Sequence, residues 1–145
     1  MSEVSTEAGF SLIELMIALA IAAIIGAVAI PSYRDHLQRS YLPEASSGLL
    51  LSALRLEQYY QDNRSYQSGT SCGVSLPAAR RFAFSCVPAS NGQAFLLTAT
   101  GVAQEAMQGF TFTLDQLGSA RTTALPDGWG NAPLECWITK RGATC

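Results

Sequence analysis

The sequence predicts an α+β protein, with one long, bent N-terminal helix packed on an antiparallel sheet of three or four strands. Three observations carry that expectation. A predominantly apolar run covers Phe10–Ile30. Helical spacing continues beyond it to about Asp62. Downstream, the period changes to two: Phe82, Phe84 and Cys86; Phe95, Leu97 and Ala99; then Phe110, Phe112 and Leu114.

The first element is set by length. FSLIELMIALAIAAIIGAVAI is 21 residues, about 31 Å of helix at ~1.5 Å per residue, close to the thickness of a bilayer's hydrocarbon core. A secretory signal would have a shorter apolar region followed by a small-residue cleavage pattern. Ile30-Pro31-Ser32-Tyr33 follows instead, so the segment reads as retained. Glu14 does not belong in a plain anchor. An ionised carboxylate within a membrane costs roughly 2.5 kcal/mol or more, and such acids are functional by default. Snorkelling to the headgroups is the weaker reading of Glu14; a cationic partner is the stronger one.

Past the run, Pro31 predicts a kink, because proline lacks the amide donor and clashes with the preceding turn. Pro43 predicts a second kink or a restart capped by Ser40. From Pro43 the spacing is helical again: Ala45, Leu49, Ala53, Leu56 and Tyr60, with Leu50 and Leu54 alongside. Asn63 onward begins as a Ser/Gly/Pro loop. Asn91-Gly92 signals a hairpin, and Gln116-Leu117-Gly118 a turn into Ser119–Thr123. The strands form a meander with one apolar face, covered by the amphipathic half of the helix. Pro126–Asn131 reads as loop, and Cys136-Trp137-Ile138 as a short extra strand. The chain thus divides into 1–9, 10–30, 31–62 and 63–145.

Composition narrows the function. Formal net charge is −2. Without residues 1–9, which hold Glu3 and Glu7, nine positive and nine negative residues remain. No basic excess points to nucleic acid. The four cysteines, Cys72, Cys86, Cys136 and Cys145, are read as two disulfides in an oxidising compartment rather than as zinc ligands. No Cys-x-x-Cys occurs, and the single histidine, His36, is remote. Three pairings are open; Cys72–Cys86 with Cys136–Cys145 is favoured because each closes a short loop. No catalytic constellation, phosphate-binding glycine motif, cofactor site or metal-spaced group is present in the sequence, so the chain reads as the substrate of an enzyme, not an enzyme.

The conspicuous surface candidates are weighed the same way. Trp129 and Trp137 are expected to pack over a core edge rather than to act as adhesive residues. Arg80-Arg81 and Lys140-Arg141 are read as solvated surface ahead of DNA-phosphate contacts. His36 is read as an interfacial polar residue. Asp115, Asp127 and Glu135 are read as solvated acids rather than a calcium cluster.

One string is far more specific. Gly9-Phe10-Ser11-Leu12-Ile13-Glu14-Leu15-Met16, placed directly before a membrane-length run, closely resembles the prepilin processing motif of type IV pilins and type II secretion pseudopilins. Ile30-Pro31-Ser32-Tyr33 resembles the same family. FTLDQLGS with a later Cys-Trp is similar to small minor pilins of the PilE type. The resemblance implies the pilin fold and cleavage of a leader, residues 1–9, by a prepilin peptidase between Gly9 and Phe10. It further implies N-methylation of Phe10, and a Glu14 that neutralises the N-terminal amine of a neighbouring subunit and so sets register. The implied partners are other pilin subunits, the peptidase and an inner-membrane assembly platform. The implied location is the inner membrane with a periplasmic C-terminal domain, then an extracellular pilus serving motility, adhesion or DNA uptake. Leader MSEVSTEAG has no Lys or Arg, whereas Arg34 and Arg39 follow the apolar run. The positive-inside count alone would therefore put the domain in the cytoplasm; the processing motif and the cysteines point outward. A minor pilin is the leading reading, a secretion pseudopilin its near rival, and a tip adhesin or DNA-binding pilin, or an anchored monomer, the alternatives.

Overall fold

The computed structural model describes residues 10–145; the leader and Gly9 lie outside the described residues. The chain forms two compact units that meet after His36. A single helix, α1 (Leu12–Asn63), runs through both.

In the first unit, from Leu15 to Ile30, α1 is apolar on every side. Phe10, Leu12, Ile13, Leu15 and Met16 are all exposed, as are Leu19, Ile24 and Val28 further along. The helix is long and apolar enough here to cross a membrane, and none of that stretch is buried. Each such side chain left in water forfeits roughly 1.5–3 kcal/mol, so this surface requires lipid or protein around it. The helix begins with a capping arrangement. The Ser11 N–H donates to Glu14 Oε2 at 3.1 Å, and Ser11 O accepts from Leu15 N.

In the second unit α1 buries a narrow stripe: Leu42, Ala45, Leu49, Ser52 and Leu56. Steps of three and four hold that stripe on one face. It differs from the expected line. Ala53 and Tyr60 are only half-buried, because the contact follows the phase of Leu42 and Ser52. Gly48 belongs to the buried face for a steric reason. A Cβ there would lie 2.1 Å from Cζ of Phe84, so glycine lets that ring press against the helix.

The expected loop after Asn63 contains a minute hairpin, β1 (Gln67–Ser68) and β2 (Ser71–Cys72). The main sheet is a four-stranded antiparallel meander: β3 (Phe82–Ala89), β4 (Ala94–Gly101), β5 (Thr111–Asp115) and β6 (Ala120–Ala124), in that spatial order. Register pairs Phe84 with Ala99, Ala99 with Phe112, and Phe112 with Thr122, stacking inward residues across all four strands. The β3–β4 turn uses φ > 0 at Ser90, Asn91 and Gly92, a conformation that Asn and Gly tolerate best. Leu49, Leu56, Phe82, Leu97, Phe110 and Trp129 are fully buried between helix and sheet.

The expected strand at Cys136–Ile138 does not form. Leu134 instead makes an isolated bridge to Thr122. The buried Thr122 hydroxyl then donates to Cys136 O and accepts from Ile138 N. That hydroxyl takes over the pairing a strand would have supplied. Ser40 caps no helix restart either: α1 is uninterrupted there, and the Ser40 hydroxyl donates back to Leu37 O at 2.7 Å.

Candidate functional site

The first candidate region is the start of α1. Phe10 is 90% exposed, and Glu14 occupies the helix's first turn as the acceptor for Ser11 N–H. Within one chain the carboxylate therefore meets a backbone dipole, with no cationic side chain recorded on it among the described residues. Pro31 and Pro43 both lie inside continuous α1. Pro43 supplies no N–H to the carbonyl four residues back, while its own carbonyl accepts from the Ser46 hydroxyl at 3.2 Å.

The cysteines form two disulfides, Cys72–Cys86 and Cys136–Cys145. The first ties the small hairpin to β3. The second closes the loop that carries Lys140 and Arg141.

The two basic doublets have different surroundings. Arg80 Nε pairs with Glu105 at 2.8 Å. Arg81 is bound into the fold: its backbone N–H and its guanidinium reach the two oxygens of Glu44 at 2.9 and 3.0 Å, and its guanidinium lies 3.8 Å from the centre of the Tyr41 ring. Burial pushes the Glu44 carboxyl up, but the hydrogen bonds from Arg81 and its charge outweigh that, leaving it below the usual carboxylate range. Arg81 thus secures the start of β3 to α1, whereas the exposed Arg80 pairs with Glu105, outside α1. Lys140 and Arg141 are exposed. Their loop is nevertheless seated, because Gly142 N donates to Trp129 O at 3.0 Å and the Arg141 guanidinium lies 5.7 Å from the Trp129 ring.

Trp129 is core, with its ring edge-to-face on Phe110 at 4.7 Å. Its Nε1 donates to Gln38 Oε1 at 3.2 Å, while Gln38 Nε2 donates to Ala106 O at 3.0 Å. Sequence reasoning missed Gln38, although it sits four residues before Leu42, in phase with the buried stripe. Trp137 is half-buried and donates to Thr113 O. The three acids are not brought together as ligands. Asp115 Oδ1 accepts from Leu117 N and Ser119 N, and Glu135 pairs with Arg121 at 2.6 Å. Among the described residues no group of His, Cys, Asp and Glu is arranged to hold a metal. At the far end of α1, the Tyr66 hydroxyl donates to Glu57 at 2.8 Å; burial, with that bond and charge, pushes its pKa up to about 12.

A membrane-length exposed helix start, continued as the inner layer of a four-stranded meander with disulfide-closed loops, is the design of a filament subunit of the pilin class. The chain belongs to the type IV pilin family. The family profile described as type IV minor pilin ComP, DNA uptake sequence receptor, matches residues 31–112. The prokaryotic N-terminal methylation motif matches residues 4–30. Fimbrial protein EcpC of Eikenella corrodens is 33% identical over 111 residues, covering 73% of this chain and 72% of that protein. A type IV major pilin, PilE1 of Neisseria gonorrhoeae, is 39% identical over 70 residues, covering 48% of this chain and 42% of the relative. The non-core minor pilin PilV of Neisseria meningitidis shares the fold, with a TM-score of 0.52 over 64% of this chain and 93% of that one, at 19% identity. The chain is a type IV pilus subunit, anchored by its apolar helix and assembled with other pilins.

Proposed function

We propose that this chain works as a minor subunit, cut between Gly9 and Phe10 by a prepilin peptidase and methylated on the new Phe10 amine. Before assembly its second unit is periplasmic; afterwards an assembly platform has moved it into an extracellular pilus. The observation that carries the reading is the exposed apolar start of α1 with one acid in its first turn. In a filament core the Glu14 carboxylate exchanges its Ser11 contact for the amine of a neighbour. Either charge alone is costly there, whereas the pair attracts strongly, so it selects one axial register. Pro31 and Pro43 are the points where the helix bends to suit that packing.

Mass spectrometry of sheared filaments tests this. The expected protein starts at a methylated Phe10 and contains two disulfides. Glu14→Ala is expected to be processed normally yet be missing from filaments. Filament protein that retains Met1, or Glu14→Ala present at wild-type level, would overturn the reading.

A second reading, DNA capture, is favoured by the ComP profile over residues 31–112. The exposed Lys140-Arg141 pair on its seated loop supports it. Gel-shift titration of the detergent-solubilised full chain with duplex DNA is expected to show salt-dependent binding. Replacing Lys140 and Arg141 by Ala should flatten the salt slope by about two. An unchanged slope would remove that loop from the DNA surface.

A further inference from the structure

Charge is excluded from α1 over a sharply bounded stretch. Leu15–Tyr33 contains no Asp, Glu, Lys or Arg, and it is closed by Glu14 at one end and Arg34 at the other. Both belong to the first unit and to the same helix. They stand twenty positions apart, about 30 Å at ~1.5 Å per residue. The hydrocarbon core of a bilayer is also about 30 Å thick. Pro31 lies three positions before Arg34, so a bend there changes the span little. When one charge stands at a headgroup layer, the other stands at the opposite one.

The Arg34 end has the chemistry of a membrane surface. Tyr33 is 63% exposed, and Arg34 is exposed beside it. Arg80, Arg81 and Arg121 are each answered by a carboxylate, whereas no hydrogen bond or ion pair is recorded for Arg34 among the described residues. Asp35 is half-buried and has a contact of its own. Val28 and Ile30 are exposed just before, so Tyr33 and Arg34 carry a lipid-facing surface on into the headgroup layer. A tyrosine ring is amphipathic and settles at that layer. A planar guanidinium matches a phosphate through two hydrogen bonds. A negatively charged leaflet attracts such a cation further.

We propose that Tyr33 and Arg34 hold the phosphate of an anionic phospholipid and so fix the depth of the anchor, keeping Glu14 among the headgroups of the opposite leaflet. The carboxylate then stays hydrated in the membrane, whereas any deeper position would make its ionised form costly. At that level the Ser11 N–H and water satisfy it. Moving the helix out of the bilayer strips phosphate from Arg34 and headgroup water from Glu14 in one step. Both charges then need new partners. The lipid contact therefore opposes entry into a filament core until neighbouring subunits replace it. This inference rests on the reading of α1 as membrane-spanning.

The test uses the full chain in vesicles of phosphatidylethanolamine and phosphatidylglycerol. Native mass spectrometry after detergent release counts the phosphatidylglycerol that stays bound. Arg34→Gln is expected to insert normally and keep the wild-type Tm, yet retain about fivefold less lipid. Arg34→Lys, which keeps the charge, loses less, and Arg55→Gln in the other unit loses none. Depth is read with the photo-crosslinker p-benzoylphenylalanine in place of Ile24, midway between the two charges. It is expected to label the terminal carbons of the acyl chains, and to spread toward the glycerol when Arg34→Gln is added. Unchanged lipid retention in Arg34→Gln, displacement of the lipid by excess inorganic phosphate, labelling centred near the glycerol, or a depth that ignores Arg34→Gln would each overturn the contact. Recovery of the wild-type chain in an alkaline wash of the vesicles would defeat the membrane-spanning reading itself, and the contact with it.

Discussion

Replacing Trp129 with Ala gives the sharpest test of how the second unit is built. The indole is 1% exposed, packs edge-to-face on Phe110, and bonds to Gln38. Truncating a buried Trp or Phe to Ala costs about 3–5 kcal/mol. The Gln38 bond adds little, because half-buried Gln38 regains water. A loss near 4 kcal/mol in a unit of about 110 residues lowers Tm by roughly 15 °C, at ~4 °C per kcal/mol. Trp129→Phe keeps an aromatic ring on Phe110 but removes the donor, so a shift of roughly 4–8 °C is expected for ~1–2 kcal/mol. Near-ultraviolet circular dichroism of the full chain in detergent measures both. Hydrogen exchange at the Gly142 amide should also accelerate in Trp129→Ala, since the backbone that carries its acceptor, the carbonyl of residue 129, loses its anchor in the core. A shift below about 4 °C for Trp129→Ala would refute the core role and return the residue to the adhesive surface.

Removing the Cys136–Cys145 disulfide by paired Ser substitution should cost about 2.5 kcal/mol from loop entropy, and removing Cys72–Cys86, which closes a longer loop, about 3 kcal/mol; urea midpoints at constant m measure both losses, and equal stability in either variant would contradict the expectation. Glu44 titrates below its unfolded value, so its contribution is present above the ordinary carboxylate pKa of about 4.3 and is lost as pH falls through the lower folded value. Tm measured from pH 7 to pH 3 should therefore fall less steeply in Glu44→Gln than in wild type, and parallel curves would contradict the ion pair. Tyr66 is raised, so its contribution is present below pH 10 and lost as pH rises through about 12. The decline in Tm between those values should shrink in Tyr66→Phe, and an unchanged alkaline limb would remove the Tyr66–Glu57 bond as its cause.

The main sheet was legible because alternation is a local property of an extended chain. Phe95, Leu97 and Ala99 point inward in β4 as their spacing requires. The β1–β2 hairpin was not legible, since two-residue strands carry no period. At Cys136–Ile138 local composition suggested a strand, but the Thr122 hydroxyl occupies the partners one would have used. At the candidate sites, the cysteines that pair were legible by count. Glu44 and Tyr41 were not, because nothing local marks the residues that will receive an arginine from another element.

By itself the sequence determined the processing motif, the membrane-length run, the helix-to-strand order and the cysteines available for crosslinking. Each is written in neighbouring residues, so backbone geometry and side-chain type suffice to read it. Only the tertiary structure decided which helical face is buried, that Arg81 answers Glu44 across 37 positions, and that Trp129 answers Gln38 across 91. Those relations depend on how helix and sheet meet in space, and packing between distant segments leaves no periodic mark in the chain.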